Sequence, residues 1–408
     1  MKKLLSLVLA VAMMLSLAAV SASAEGTEIT YWSMWSSTEP QAIAIQSIID
    51  DYSAKTGVKV NVEWKGRDVK TIIETAIDAG EKVDLFDSDF QLLSEQLGKK
   101  LTDLEEMAAA VKYDDFAIAA LPAAVRGWAG SLKAIPYQAY SSGILYNVEM
   151  FETAGITAAP ATWAELLDAC QKLKDAGYAP FAQDDAYVNY AFGFLMARYL
   201  GQPAVREMVL NGDWAETPAA LKAAQAIEDL RTAGYFAENV PGTYPASQNE
   251  LGFGTAAMVV CATWVPNEVL VNTEYTGVIG MFNYPSVEGG VDPNTYANIG
   301  AQAFGIPATS QNAQAAFDLI MAITSGEGDQ KIALDTNSIP CDTRNAEWPA
   351  LLSGCRDAVN AQTGVYEWCM GITANANIEA TLQTNLLKLY EGKLTAQQFV
   401  DAMEAAGK

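Results

Sequence analysis

Trp35 and Ser36 stand where the β-forming run from Glu28 gives way to polar residues, and Asp87 and Asp89 follow the short apolar stretch Val83 to Phe86. An aromatic ring beside a hydroxyl, with carboxylates near strand ends, suits a ligand with one apolar face and a fringe of hydroxyls. A pyranose is such a ligand. Its C–H face stacks on a ring and its equatorial hydroxyls need paired donors and acceptors. Each residue also has a plain structural use: Trp35 can be core, and Asp89 can cap a helix starting at Phe90. Histidine is absent from the chain. That removes Ser-His-Asp and Cys-His catalysis, H-E-x-x-H zinc sites and imidazole acid–base chemistry together. Neither G-x-S-x-G nor G-x-x-x-x-G-K-[ST] occurs, so ATP hydrolysis would belong to another subunit.

To hold these residues the chain must alternate strand and helix. Pro40, favoured at a first helical position, leads Ala42, Ile45, Ile48 and Tyr52 along one helical face, and Gly57 ends that helix. Val58, Val60, Val62 and Trp64 alternate as a second strand. Asp68 then caps a helix that turns Val69, Ile72, Ile73, Ala76 and Ile77 inward and closes at Gly80. With Val83 to Phe86 as a third strand, the first hundred residues repeat β-α and require a parallel sheet covered by helices. Further on, Thr162-Trp163-Ala164-Glu165 reads as a capping box, and Thr217-Pro218 opens another helix. Gly254 to Trp264, Tyr275 to Tyr284 and Ala297 to Pro307 read as strands.

The first 24 residues have the pattern of a signal peptide: Lys2 and Lys3, an apolar run from Leu4 to Val20, and Ala22-Ser23-Ala24 before Glu25. The run is short for a membrane span and contains Ser16, so cleavage near Ala24 is expected, with an extracytoplasmic place for the mature chain. No cysteine precedes Cys170, which leaves no acceptor for a lipid-modified amino terminus. Loss of the two lysines takes the formal net charge from -24 to -26. Such a field repels phosphate backbones and anionic lipid, so nucleic acid and membrane surfaces are not expected partners. The length predicts about two domains, and half of the residues are hydrophobic, enough for a core in each. Cysteines 170, 261, 341, 355 and 369 show no C-x-x-C spacing. Cys341 with Cys355, or Cys355 with Cys369, can pair in an oxidising compartment, and buried free thiols are the alternative.

Several segments together resemble the sugar-binding, maltose-binding-protein-like branch of the extracellular solute-binding proteins, across essentially the whole mature chain. Ile29 to Trp35 (ITYWSMW) is similar to that family's first strand, Tyr52 to Val62 (YSAKTGVKVNV) to the segment after its first helix, and Asp84-Leu85-Phe86 to its third strand. Ile135-Pro136-Tyr137 through Leu145-Tyr146-Asn147 resembles the crossover between lobes, followed by Met150 to Ile156 and Thr162 to Leu166. Phe253 to Met258 with Trp264 is similar to the family's Ala-Ala-Met strand and its tryptophan, with Ala262 where glycine is usual.

The resemblance implies an α/β, two-lobed periplasmic-binding-protein-like fold, each lobe a mostly parallel sheet flanked by helices and the two joined by a hinge. Segment matching assigns residues 25–137 and 298–336 to the first lobe, and 138–297 and 337–408 to the second. It also implies a ligand set: Trp264 as the stacking tryptophan, Gln138 and Tyr140 in one crossover, Asn298 and Gln302 at the other, and Asp185 with Tyr187 in a polar loop. Hinge packing and a solvated loop are the structural alternatives. Glu379 either reads hydroxyls or begins a late helix, which lacks the aromatic and arginine of maltodextrin binders, so maltose is not the expected ligand. The implied function is capture of a mono- or oligosaccharide by a monomer and delivery to the transmembrane subunits of an ABC importer, with no cofactor, metal or catalysis. The competing expectations are a polyamine or other small-solute binder, and an extracellular glycoside hydrolase using Asp87 with Asp185 or Glu379.

Overall fold

The computed structural model describes residues 26–408, so the expected signal peptide lies outside the described residues. The chain divides into two compact units. One takes the segment ending at Ala139 together with Gly300–Trp348, and the other takes Tyr140–Ile299 with Pro349–Lys408.

In the first unit β1 (Glu28–Ser33) lies between β2 (Lys59–Trp64) and β3 (Leu85–Asp89), parallel to both. Residues Gln302–Gly305 of β8 (Tyr296–Gly305) pair antiparallel with β3. β1 is buried because both its neighbours and its covering helices exclude water: Ile29 and Tyr31 are inaccessible. The Pro40–Thr56 helix has Pro40 in its first turn, buries Ala42, Ala44, Ile45, Ile48 and Ile49, and ends at Gly57 with a left-handed φ of 76°. Two local expectations change. Asp68 adopts helical dihedrals and makes no side-chain cap, because a short turn at Gly66–Asp68 runs straight into the Val69–Ala79 helix. The third strand begins later than its apolar residues and continues through Asp87 to Asp89, because β8 supplies ladder partners there.

The chain also stays with the first unit beyond Thr336, through Trp348. The buried Asp329 carboxylate holds this extension: it accepts from Cys341 N at 2.8 Å, Asp342 N at 3.1 Å and Asn345 Nδ2 at 2.8 Å. Asp342 in turn accepts from Gly326 N at 2.8 Å.

In the second unit residues 142–147 of β4 (Ala134–Asn147) pair antiparallel with β6 (Ala256–Ala262) on one side and with β7 (Ile279–Phe282) on the other. β5 (Ala179–Ala182) runs parallel to β6, and β9 (Gly364–Tyr366) runs parallel to Tyr296–Asn298 of β8. Every residue of β6 is buried. The capping box forms as its sequence predicts, with Thr162 and Glu165 exchanging side-chain bonds at the start of the Trp163–Asp175 helix. All five cysteines are free and buried, so neither pairing forms.

Burial raises four carboxyls: Asp87 and Asp329 to about 6 and Asp184 to about 7, against an ordinary value of 3.8, and Glu250 above its ordinary 4.5. Each holds its proton more tightly folded than unfolded. Their contribution to stability is complete below the ordinary value and lost as pH rises through 6 to 7. Urea midpoints measured between about pH 5 and about pH 8 should therefore fall as pH rises. A flat or rising profile would contradict this assignment.

Candidate functional site

Parallel register sets β5 beside β6 with Phe181 opposite Met258 and Ala182 opposite Val259. β6 runs three residues further, to Ala262, and the segments that follow the two strands, Gln183–Tyr187 and Thr263–Trp264, leave from the same end of the sheet. Ligands of α/β sheets collect at such carboxyl ends. Tyr187 closes a short turn, Asp185–Tyr187, that leads into the Val188–Leu200 helix.

Six aromatic side chains meet here. The Trp264 ring centroid lies 5.3 Å from Tyr140, 6.0 Å from Tyr187 and 6.4 Å from Trp368. Tyr187 lies 5.8 Å from Tyr244, and Tyr190 lies 4.7 Å from Trp368. Tyr140, Tyr187 and Trp264 are half-buried, whereas Tyr244 is 40% and Trp368 42% exposed. A row of rings with open faces can stack on the apolar face of a ligand.

Polar side chains fix these rings from below. Tyr190 Oη donates to Asn298 Oδ1 at 2.9 Å, Asn298 Nδ2 donates to Tyr366 O at 2.8 Å, and Ser142 Oγ donates to Asn298 O at 2.8 Å. Asn298 is buried and both its side-chain oxygen and nitrogen are bonded, so it supports the cluster. Tyr244 Oη donates to Glu268 Oε1 at 2.7 Å, and Gln248 Nε2 donates to Glu268 Oε2. Asp185 Oδ1 accepts from Ala186 N at 2.7 Å and Tyr244 N at 3.0 Å, which ties the two loops that carry Tyr187 and Tyr244. Trp368 rides on a turn whose next residues, Cys369 and Met370, have φ of 54° and 52°. Left-handed backbone at non-glycine residues is strained and persists only where packing enforces it. Burial first, then the Glu379 charge, hold the Cys369 thiol up at about 12. Glu379 itself is exposed at the start of the Glu379–Tyr390 helix.

The remaining predicted residues lie in the first unit. Asp87 is inaccessible: it accepts from Tyr31 Oη at 2.8 Å, Tyr137 Oη at 2.6 Å and Met34 N at 3.1 Å. Trp35 Nε1 donates to Tyr137 Oη at 2.6 Å, so Asp87 acts on Trp35 through a tyrosine. The Trp35 ring is 6% exposed and the Arg67 guanidinium sits 4.5 Å above it. Ser36 is exposed. Asp89 Oδ1 accepts from Gln91 N and Leu92 N, each at 3.0 Å, the capping role given as its alternative. Gln138 has a φ of 49°, and its Oε1, like that of Gln302, is buried without a partner.

Tyr190, Tyr244 and Trp368 escaped the sequence. Tyr190 falls three residues after Tyr187, a helical spacing that was open to notice. Tyr244 and Trp368 come from distant loops, and no local pattern marks them. Among the described residues no group of histidine, cysteine and carboxylate side chains could hold a metal ion, and no helix is long and apolar enough to cross a membrane.

Two α/β units, one carrying a partly exposed row of rings at its strand ends, define a solute-binding class of protein. The family of bacterial extracellular solute-binding proteins matches residues 35–330, and this chain belongs to it. Comparison with curated protein sequences returned no match. Solved structures share the fold at low identity. A Streptomyces coelicolor protein assigned as a secreted solute-binding lipoprotein is 17% identical, with TM-score 0.76, covering 93% of this chain and 98% of its own. A bacterial solute receptor described as preferring β-D-galactopyranose exclusively is 17% identical, with TM-score 0.74 over 93% and 98%. A chitin oligosaccharide binding protein is 20% identical, with TM-score 0.66 over 93% and 98%.

Gly193 lets the Val188–Leu200 helix touch the Trp368 turn: a Cβ there would lie 2.5 Å from Cys369 O. Gly193→Ala should displace that turn and cost about 1 to 3 kcal/mol, read as a lower urea midpoint. An unchanged midpoint would show that the turn is not held by this contact.

Proposed function

We propose that this chain is the extracytoplasmic substrate-binding subunit of an ABC importer, taking a mono- or oligosaccharide between its two units by hinge closure. The aromatic cluster around Trp264 is the observation that carries this reading. Open ring faces beside amides and tyrosine hydroxyls suit the two surfaces of a pyranose. In this reading the chain acts as a monomer, is exported with cleavage near Ala24, catalyses nothing and hands its ligand to membrane permease subunits. Family membership supports export and a transport partner.

Hinge closure draws support from the crossings at Ala139 to Tyr140, Ile299 to Gly300 and Trp348 to Pro349. Gln138, with its left-handed backbone, adjoins the first of them. If the closed form makes more ligand contacts than the open form, ligand shifts the population toward it. The glycosidase alternative loses Asp87, which is buried beyond reach of a substrate.

The test is a thermal-shift screen of the mature protein against mono- and oligosaccharides, with polyamines included. A ligand at 100 times its dissociation constant adds about 2.7 kcal/mol of stability. A sugar hit recovered unchanged supports the proposal, whereas a polyamine hit or a consumed sugar overturns it. Trp264→Ala should then weaken that sugar by about 1 to 3 kcal/mol, roughly tenfold to a hundredfold, with the fold intact. Undiminished affinity would remove Trp264 from the site.

A further inference from the structure

Asp184 has no assigned role, yet it stands at the carboxyl end of β5 beside the aromatic cluster. Continuing the register of Ala182 opposite Val259 puts it level with Cys261, just ahead of Trp264. It is inaccessible, and its Oδ1 accepts from Ser247 N at 3.1 Å while its Oδ2 has no partner. Gln183 Nε2, Gln248 Oε1 and Trp264 Nε1 are also buried without partners. Buried polar atoms are nearly always paired, and leaving one unpaired costs about 1 to 3 kcal/mol, so these four mark an unsatisfied polar cluster at this strand end.

We propose that Asp184 sets the charge selectivity of this site and restricts it to saccharides that carry no negative charge. The inference rests on the saccharide reading above. Asp185 and Glu268 act electrostatically on Asp184, and both are acidic. Their bonds to Tyr244 N, Tyr244 Oη and Gln248 Nε2 hold them in place.

Three arginines of the same unit are engaged elsewhere. Arg198 donates to Tyr284 O, Tyr296 O and Tyr366 Oη, Arg206 pairs with Glu367, and Arg231 donates to Val240 O and Tyr390 O. In the first unit, the two cations over Trp32 and Trp35 are also paired: Lys65 with Glu63 at 2.6 Å and Arg67 with Glu39 at 2.7 Å. The net charge of -24 repels an anion at longer range with the same sign.

A neutral sugar beside Asp184 meets no charge–charge cost whether the buried acid is protonated or ionised. Burial raises its pKa to about 7, so both states are populated near neutrality. A ligand carboxylate in the same place would put two like charges in a water-poor site without a counter-ion.

The experiment is isothermal titration of the mature protein with pairs that differ only at C6: glucose and glucuronate, galactose and galacturonate, and the best sugar of the screen with its C6-oxidised form. Wild type should bind the neutral member about a hundredfold more tightly, the scale of a like-charge contact. Asp184→Asn keeps an acceptor for Ser247 N and should narrow that gap to about tenfold or less; Glu268→Gln, which removes a facing charge, should narrow it in the same direction. Uronates bound within about threefold of neutral sugars by the wild type would overturn the proposal, as would a gap that neither variant changes. Failure of every sugar to bind defeats the saccharide reading itself, an outcome distinct from loss of charge selectivity.

Discussion

Parallel pairing of β5 with β6 forces two distant stretches of chain to leave the sheet side by side, and the aromatic cluster is built on that exit. Parallel strands point the same way, so the loops following them emerge at one end and their side chains share one volume. Gln183 to Tyr187 arrives from one strand and Trp264 from the other. Once these are adjacent, Tyr140 from β4, Tyr244 from its proline-flanked loop and Trp368 from a late turn have a common surface to pack against.

That surface is held by groups that never need to meet a ligand. Asn298 clamps Tyr190, Gly193 admits the Trp368 turn, and the buried Arg198 ties Tyr284, Tyr296 and Tyr366 together beneath. A charge as deep as Arg198 is tolerable only because carbonyls and a phenol share its protons. The strain at Cys369 and Met370 is of the kind that surrounding packing must over-determine, and it sits next to the most exposed ring of the cluster. The first unit follows a similar logic on a smaller scale. Asp87, with two tyrosine hydroxyls and a backbone amide, fixes Tyr137 and through it Trp35.

Strand and helix order in the first hundred residues was legible because the signals are local: Pro40 and Gly57 bound one helix, apolar alternation marked β2, and the Thr162–Glu165 box formed as written. Tyr187 and Trp264 were singled out by the family resemblance, one in a polar loop and the other after an Ala-Ala-Met run, and their rings lie 6.0 Å apart. What the sequence left open was the fate of polar side chains. Asp89 and Asn298 look alike as candidates for a ligand, and the structure puts Asp89 Oδ1 on a cap and the Asn298 amide on a clamp. Nothing in a neighbouring residue says which bonds a carboxylate or amide will find.

The sequence alone determined the α/β class, the acidic charge, the absence of histidine chemistry and the family resemblance, because composition and short-range periodicity carry them. Only the tertiary structure decided that Asp87 is buried, that Asp184 rather than its neighbour Asp185 keeps a buried, unpartnered oxygen, and that Tyr190, Tyr244 and Trp368 join Trp264. Those outcomes depend on which distant segments share a strand end and on which polar atoms are paired there, and pairing across hundreds of residues is set by packing, not by local spacing.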